Sequence, residues 1–384
     1  MSMGPPIQGC CCRTGVKPEA GAAGGGEPLR GDEATPRPAR PWVLGSVESP
    51  AGEVAQVSTS LGAADRLDAW KVRWGIGRMR CRIEPGLYAV GEPPADSPVL
   101  VTANYKVTFD RLRSQLAGRA AWILVLETLG INVWCAAAKG TFGTDELVRR
   151  IETTGLPEVV SHRTLIVPQL GAVGVAAHEV RKRSGFRVVY GPVRAADLPA
   201  FLAAGMKAAP EMRQVRFPLW DRLAVVPIEL VYWPKYVLFI MLAMALLAGL
   251  GTDGYSWSRV TGVGLPSAVL LLVAWAAGLV LTAWLLPWLP GRAFAAKGAW
   301  LGVALLPGAA AYGLILTHCW AGWLTAAAWC ILIPVVASFM AMNFTGSTPI
   351  TSLSGVRREM RVAVPLQTAG AVVGTILWVV GLFA

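Results

Sequence analysis

Beyond Trp233 the chain carries five apolar segments, at residues 235–251, 265–288, 298–317, 320–341 and 364–383. Each is near the roughly 20 residues that a membrane-spanning helix needs. Nothing else in the sequence restricts the fold as strongly, and it predicts an all-α transmembrane domain of five helices over residues 235–384. Basic residues alternate between the connections. Arg292 with Lys297 fall in the second and Arg357, Arg358 and Arg361 in the fourth, whereas the first has only Arg259 and the third has none. The positive-inside rule then sets a multi-pass protein in the cytoplasmic (inner) membrane, its first domain in the cytoplasm and its C-terminus outside. Trp257, Trp288, Trp300, Trp320 and Trp323 lie near segment ends, as interfacial anchors do. No Asp, Glu, Lys or Arg sits mid-segment, which argues against a transporter.

Composition agrees with this division. The 384 residues are 54% hydrophobic and 15% charged, with mean hydropathy +0.49, too apolar for a wholly soluble chain. The net charge is +11, and the part after Trp233 accounts for +5 of it, seven Lys and Arg against Asp253 and Glu359. No Lys/Arg block interleaves with aromatics, so nucleic acid is not an expected partner. The seven cysteines form no disulfide, zinc or iron–sulfur spacing. Any electrons the chemistry needs must come from an external donor. The N-terminus has no apolar h-region, so no signal peptide is expected.

Residues 1–54, rich in Gly, Pro, Ala and Arg, read as a disordered tail. Its Cys10, Cys11 and Cys12 suit a soft metal such as Hg(II), against the plainer reading of incidental thiols. A folded domain is expected over 55–212, then a linker over 213–234. Ala69 to Trp74 and Gly86 to Val90 read as a strand hairpin. Apolar runs at Val99–Thr102, Trp122–Leu126, Thr164–Val167 and Arg187–Tyr190 then alternate with helical patterns at Phe109–Leu116, Thr144–Thr153, Val175–Ser184 and Ala195–Ala204. Strands of nearly continuous apolar character separated by helices imply an α/β doubly wound (Rossmann-like) parallel sheet. The loops after those strands should share one edge. Small residues there, around Thr102, Gly130, Gly171 and Gly191, would let a large flat ligand approach the backbone.

One of those loops is unusual. Gly130-Ile131-Asn132-Val133-Trp134-Cys135-Ala136-Ala137-Ala138-Lys139-Gly140 follows a strand and precedes a helix that begins at the capping-box pattern Thr144-x-x-Leu147, with Asp145 and Glu146 in its first turn. A lone cysteine there is a buried structural thiol, a nucleophile or a metal ligand. Its place past the carboxyl end of a strand, where open α/β sheets bind ligands, sets the site reading level with that of a structural thiol. A helix N-terminus and Lys139 would both favour the thiolate. His162 and His178 have no i,i+4 partner and read as solvated or hydrogen-bonded side chains. Arg181-Lys182-Arg183 reads as a solvated helix end. His318 and Cys319, the only such pair in the apolar half, read as incidental.

The segment Asn132-Val133-Trp134-Cys135-Ala136-Ala137-x-Lys139-Gly140 resembles the signature of the corrinoid protein family of microbial mercury methylation (HgcA). So do Trp70 to Arg78, Tyr88 to Gly91, Phe109 to Arg113, Gly140 to Glu146, Gly171 to Arg183 and Tyr190 to Pro199, the likeness covering residues 55–384. The family usually has Gly where this chain has Ala138. The polar stretch Met342 to Gly355 is similar to it too. The resemblance implies a corrinoid (cobalamin-type, cobalt) bound along the sheet edge by Thr102, Asn132, Val133, Trp134, Cys135, Ala136, Ala137, Ala138, Lys139, Gly140, Gly171 and Gly191. Cys135 would be the lower axial cobalt ligand and the catalytic residue. An electron-rich thiolate in that position should ease departure of a methyl group with its electron pair toward a soft cation. The implied activity is a corrinoid-dependent methyltransferase that takes a methyl group from methyltetrahydrofolate and passes it to Hg(II). The implied partners are a ferredoxin-like [4Fe-4S] protein as electron donor and possible Hg(II) donor, a methyl-folate, and the membrane. Two other readings stay open. One is a corrinoid methyl carrier of one-carbon metabolism. The other is a non-enzymatic membrane-anchored ligand-binding or sensor protein.

Overall fold

The computed structural model describes residues 40–320, 322–347, 351 and 353–384. Cys10, Cys11 and Cys12 lie outside the described residues. The chain divides into two compact units, residues 40–72 with 76–215, and residues 73–75 with 216–384.

The first unit is built on a seven-stranded sheet of β1 (Val43–Ser49), β2 (Gly52–Val57), β3 (Gly86–Val90), β4 (Val99–Ala103), β5 (Ala121–Leu126), β6 (Thr164–Val167) and β7 (Arg187–Tyr190), in the order β1-β2-β3-β5-β4-β6-β7. The strands β5, β4, β6 and β7 are mutually parallel, as their apolar runs predict. Every residue of β4 and β5 is buried, the state that a central parallel strand with both faces covered requires.

The sheet as a whole is mixed, not purely parallel. β3 runs antiparallel to β5 and parallel to β2, and β1 antiparallel to β2. The reason is the connection from β3 to β4, residues 91–98, which holds no helix. A parallel crossover needs a dozen residues or more, roughly, and this link is too short to carry the chain back to the far edge.

Two further expectations are corrected. Ala69 to Trp74 is not a strand, because Ala63–Arg73 forms α1, and β3 pairs with β2 and β5. Ordered structure also begins before residue 55, with β1 and β2 forming a hairpin and Trp42 buried in the core. The start of 63–73 is held both by a local bond and by distant partners. Asp65 is buried, accepts from the Gly62 N–H at 3.0 Å, and pairs with Lys106 Nζ at 2.6 Å and Arg113 Nη2 at 2.8 Å.

Lys106 and Arg113 belong to α2 (Lys106–Arg113), which follows β4. Phe109 of α2 packs with Tyr88, Leu100, Ile123 and Ile166 on one face of the sheet. After β5 come α3 (Val133–Lys139), α4 (Thr144–Thr153) and α5 (Leu156–Val159). After β6 comes α6 (Ala177–Ser184), and after β7, α7 (Leu198–Ala203). α4 packs on β5 and on α6, whereas Leu198 and Phe201 of α7 join the Phe109 core, so both faces carry helices.

The second unit is helical. α8 (Leu219–Leu223) and α9 (Val226–Tyr232) occupy the stretch expected as a linker. α10 (Pro234–Leu247) follows, and α11 (Trp257–Arg259) runs on through 260–264 into α12 (Leu265–Leu285). Then come α13 (Phe294–Ala310), α14 (Trp323–Ser347) and α15 (Leu353–Val380). Among the described residues four helices are long and apolar enough to cross a membrane: Trp257–Leu285, Phe294–Leu316, Trp323–Thr345 and Ser354–Val380. The first expected span is shorter. It makes a fifth crossing only as a pair bent by 53°, Leu219–Tyr232 with Pro234–Leu247. The polar stretch from Met342 is helical through Ser347, so α14 outlasts its apolar run.

Candidate functional site

Because β5, β4, β6 and β7 are parallel, their carboxyl ends share one edge of the sheet. The chain leaves β4 toward β5 on one side, then crosses to β6 on the other. That reversal makes a topological switch point between β4 and β6, the place where open α/β sheets bind ligands. α3, the helix carrying Cys135, sits there. It packs against the end of β4 and against the single turn Gln169–Gly171 that follows β6.

The sequence builds this placement from the loop between β5 and α3. Asn104, one residue past β4 and fully buried, is its hub. Its Oδ1 accepts from the Thr128 N–H at 3.1 Å, the Thr128 hydroxyl at 2.8 Å and the Gly130 N–H at 2.9 Å, and its Nδ2 donates to Glu127 Oε1 at 2.8 Å. Thr128 to Ile131 then forms a turn closed by Ile131 N–H to Thr128 O at 3.1 Å. Both central residues have positive φ, Leu129 at 58° and Gly130 at 71°. Asn132 ends the turn and caps α3, its Oδ1 accepting from the Cys135 N–H at 2.9 Å. Gly140, at φ 85°, closes the other end.

On a helix each residue turns by about 100°, so Trp134, Ala138 and Cys135 lie on one arc of α3 and Val133, Ala136 and Ala137 on the other. The second arc is buried; Trp134 and Ala138 are half-exposed, and Cys135 is 5% exposed at the border between them. Lys139 is exposed one turn beyond Cys135. The Cys135 N–H is engaged by Asn132, so what the helix start gives directly is a fixed position for the Sγ-bearing residue.

The glycines and Thr102 fall differently. Thr102 is buried within β4. A Cβ on Gly171 would lie 2.5 Å from Phe142 Cε1, and on Gly191 3.1 Å from Ile166 Cγ2. The space beside both is filled by protein, so these two positions let elements pack closely. Gly174, which the sequence did not single out, is the tightest of them. Its Cβ would stand 2.2 Å from Phe142 O and 3.1 Å from Ala137 Cα, seating the α6 approach against α3.

Asn104, Glu127 and Glu146 were also not read as site residues. Thr144 does not cap α4. Gly143 holds the N-cap place, and Thr144 Oγ1 accepts from the Ala176 N–H at 2.9 Å instead. The Glu146 carboxylate accepts from the Glu127 N–H at 2.8 Å and pairs with Arg150 at 2.8 Å. Burial by itself would raise its pKa, but the Glu127 N–H and the Arg150 and Arg149 guanidiniums outweigh burial and hold it below the ordinary glutamate value. Asn104 was the one signal available: a polar residue directly after a fully apolar strand.

The remaining candidates lie apart. His162 Nε2 is hydrogen-bonded to Ser97 O at 2.8 Å and its Nδ1 accepts from the Thr164 N–H at 3.2 Å, while His178 is exposed on α6. Burial pushes the Cys81 thiol up to about 11, with Asp68 adding to it. Among the described residues no three His, Cys, Asp or Glu converge to hold a metal ion.

Residues 77–202 match the family described as CO dehydrogenase/acetyl-CoA synthase delta subunit. The same region is similar to proteins named acetyl-CoA decarbonylase/synthase complex subunit gamma. That of Methanopyrus kandleri is 35% identical over 122 residues, 31% of this chain and 26% of the relative. That of Archaeoglobus fulgidus is 34% identical over 127 residues, 33% and 27% respectively. The subunit gamma 2 of Methanosarcina thermophila is 35% identical over 123 residues, 31% and 26%. The chain thus spans about a quarter of the length of the curated relatives it matches. The matched family region contains β3 to β7 and the whole of α3, and excludes the apolar helices.

Proposed function

We propose that this protein is a membrane-anchored, corrinoid-dependent methyltransferase whose α/β domain carries a methyl group from a methyl-folate to Hg(II). The observation that carries the reading is the seat of α3, with its single thiol, over the switch point between β4 and β6. The residues suit the group. The outward arc pairs the large apolar face of Trp134 with the small Ala138, against which a flat macrocycle can lie, and Cys135 borders it as a lone soft donor. A corrinoid, when bound, supplies a cobalt centre able to accept and release a methyl group.

The protein's own part is positional and electrostatic. Cys135 Sγ would hold the metal, and Asn132 fixes the turn of helix that presents it. Trp134 would pack against the group and exclude water. Ala138, where the mercury-methylation family usually has Gly, adds one methyl group to the half-exposed arc that would meet it. A ferredoxin-like [4Fe-4S] partner supplies electrons from outside. The apolar helices anchor the chain in the cytoplasmic membrane.

A second reading draws on the relatives, which are named as subunits of an acetyl-CoA decarbonylase/synthase complex. Under it the same domain carries methyl groups for one-carbon metabolism, and Hg(II) is not the acceptor.

The test is the ultraviolet–visible spectrum of the detergent-purified full chain reconstituted with a corrinoid, beside Cys135→Ala. Bound corrinoid with a band shift in the variant supports the thiolate ligand; binding with identical bands sinks that role. Single-turnover methylmercury formation then separates the two acceptors.

A further inference from the structure

The helical unit holds a cavity of about 730 Å³ between α13, α14 and α15. Its walls follow helical spacing. On α15, Arg358, Val362 and Leu366 form one stripe and Glu359, Ala363 and Gln367 the next; on α13 the wall is Ala295, Ala296 and Ala299. The alanines leave the volume that larger side chains would fill. Along α15 the lining extends from Gly355 to Gln367, about 18 Å at the helical rise.

One end of this groove is cationic. Arg292, just before α13, and Arg358 both line it and both are exposed. Among the described residues neither guanidinium makes an ion pair or a hydrogen bond. The acid beside them, Glu359, is engaged elsewhere, accepting from the Ala295 N–H at 2.7 Å. On the inner wall Ser338 is engaged, while Gln367 is engaged through its Nε2 and its Oε1 is buried without a partner among the described residues. Gln367 Nε2 donates to Ser338 Oγ at 2.8 Å, which donates to Ala295 O at 2.8 Å.

We propose that this cavity is a binding site for one anionic phospholipid. The phosphate sits between Arg292 and Arg358, and one acyl chain lies along the alanine, valine and leucine wall. Charge complementarity selects the occupant. Two guanidiniums at the end of an apolar groove match a phosphate joined to a hydrocarbon chain, and basic pockets between membrane helices bind such headgroups. A detergent without an anionic group leaves both cations unanswered, and a zwitterionic lipid brings, beside its phosphate, a quaternary ammonium that the two guanidiniums repel. The site rests on the membrane-spanning reading of these helices, not on the corrinoid.

The experiment uses the full chain, purified in detergent, delipidated, and offered phosphatidylglycerol or phosphatidylcholine with the same acyl chains. Retained lipid is counted by native mass spectrometry. The expected result is one phosphatidylglycerol per chain, held at least tenfold over phosphatidylcholine. Arg292→Ala with Arg358→Ala should lower that retention at least tenfold, and Ala296→Leu with Ala299→Phe should block it. Arg357→Ala, outside the cavity, should retain it. Arg292→Lys with Arg358→Lys, which keeps the charge, should restore most of it if the alanine pair misfolds. Equal retention of the two lipids, or full retention in the alanine pair, would overturn the proposal. So would displacement by glycerol phosphate alone, which would make this a simple anion site. Extraction of the chain from membranes without detergent would instead sink the membrane reading, and is seen before any lipid is added.

Discussion

Asn104 and Thr128 are joined twice, the Asn104 Oδ1 accepting from both the backbone N–H at 3.1 Å and the hydroxyl at 2.8 Å of Thr128. One buried amide thus ties the end of β4 to the loop that delivers α3. Replacing Asn104 by Ala leaves the Thr128 and Gly130 N–H groups buried without their acceptor. Each unsatisfied buried group costs about 1–3 kcal/mol. Asn104→Ala should therefore lose about 3 kcal/mol in chemical denaturation, and a loaded protein should lose its thiolate-dependent spectral bands. Loss of stability with the bands intact would show that α3 is positioned by something else.

Leu129 holds φ 58° on an exposed turn, beside Gly130 at 71°. A left-handed conformation costs an L-residue about 1–2 kcal/mol, while Gly adds roughly 0.5–1 kcal/mol of chain entropy in the unfolded state. Leu129→Gly is expected to stabilise by about 0.5–1 kcal/mol, read as a higher denaturation midpoint with unchanged slope. A lower midpoint would mean that the Leu129 side chain makes contacts that outweigh the strain.

The cluster of Asp65, Lys106, Asp110 and Arg113 makes stability depend on pH. Burial alone would raise the Asp65 pKa, but hydrogen bonds from Lys106, the Gly62 N–H and Arg113 outweigh it, so the folded value lies below 3.8. Glu146 lies below 4.5 for the reasons given above. Both groups bind protons more weakly folded than unfolded. Their contribution is complete above the ordinary carboxylate range and is lost as pH falls through the lower folded values. Lys106 runs the other way. Burial alone would lower it, yet Asp110 and Asp65 hold it above 10.5, so its contribution is lost as pH rises through that folded value. Stability should form a plateau across neutral pH and fall at both extremes. Arg113→Met removes a partner from two buried carboxylates and should cost about 3–5 kcal/mol. It should also move the acid limb to higher pH. An unmoved acid limb would remove this cluster as its cause.

Gly174→Ala sets a methyl group 2.2 Å from Phe142 O and 3.1 Å from Ala137 Cα. The contact is with backbone on both sides, so relief requires moving α3 or the approach to α6. Overpacking of this kind costs about 1–3 kcal/mol. The variant should unfold earlier and bind corrinoid less tightly than the wild type, measured by equilibrium titration. Gly185→Ala, at the C-terminal end of α6 with open space around it but at φ 76°, serves as the strain-only comparison and should leave corrinoid binding unchanged.

How much of this could be read from residues alone follows from the range of the forces involved. β4 and β5 are continuous apolar runs, and the four parallel strands and the helices between them were legible because burial on both faces of a sheet is written in consecutive residues. The long apolar helices were legible for the same reason, since hydrocarbon demands an unbroken stretch. Cys135 stood out by type and by its place after a strand. Residues 63–73 were not legible. Trp70, Val72 and Trp74 alternate with polar residues like a strand, whereas the helix starts on the Gly62 N–H to Asp65 bond and is tied down by the pairing of Asp65 with Lys106 and Arg113, 41 and 48 positions away. The direction of β3 depended on a loop too short for a crossover. Asn104 gained its role from groups 24 and 26 residues further along, and Gly171 and Gly191 proved to be places where side chains of other elements come close. Local pattern determined which elements form. Hydrogen bonds, ion pairs and close contacts between distant residues decided how they meet, and with that where the thiol of Cys135 is held.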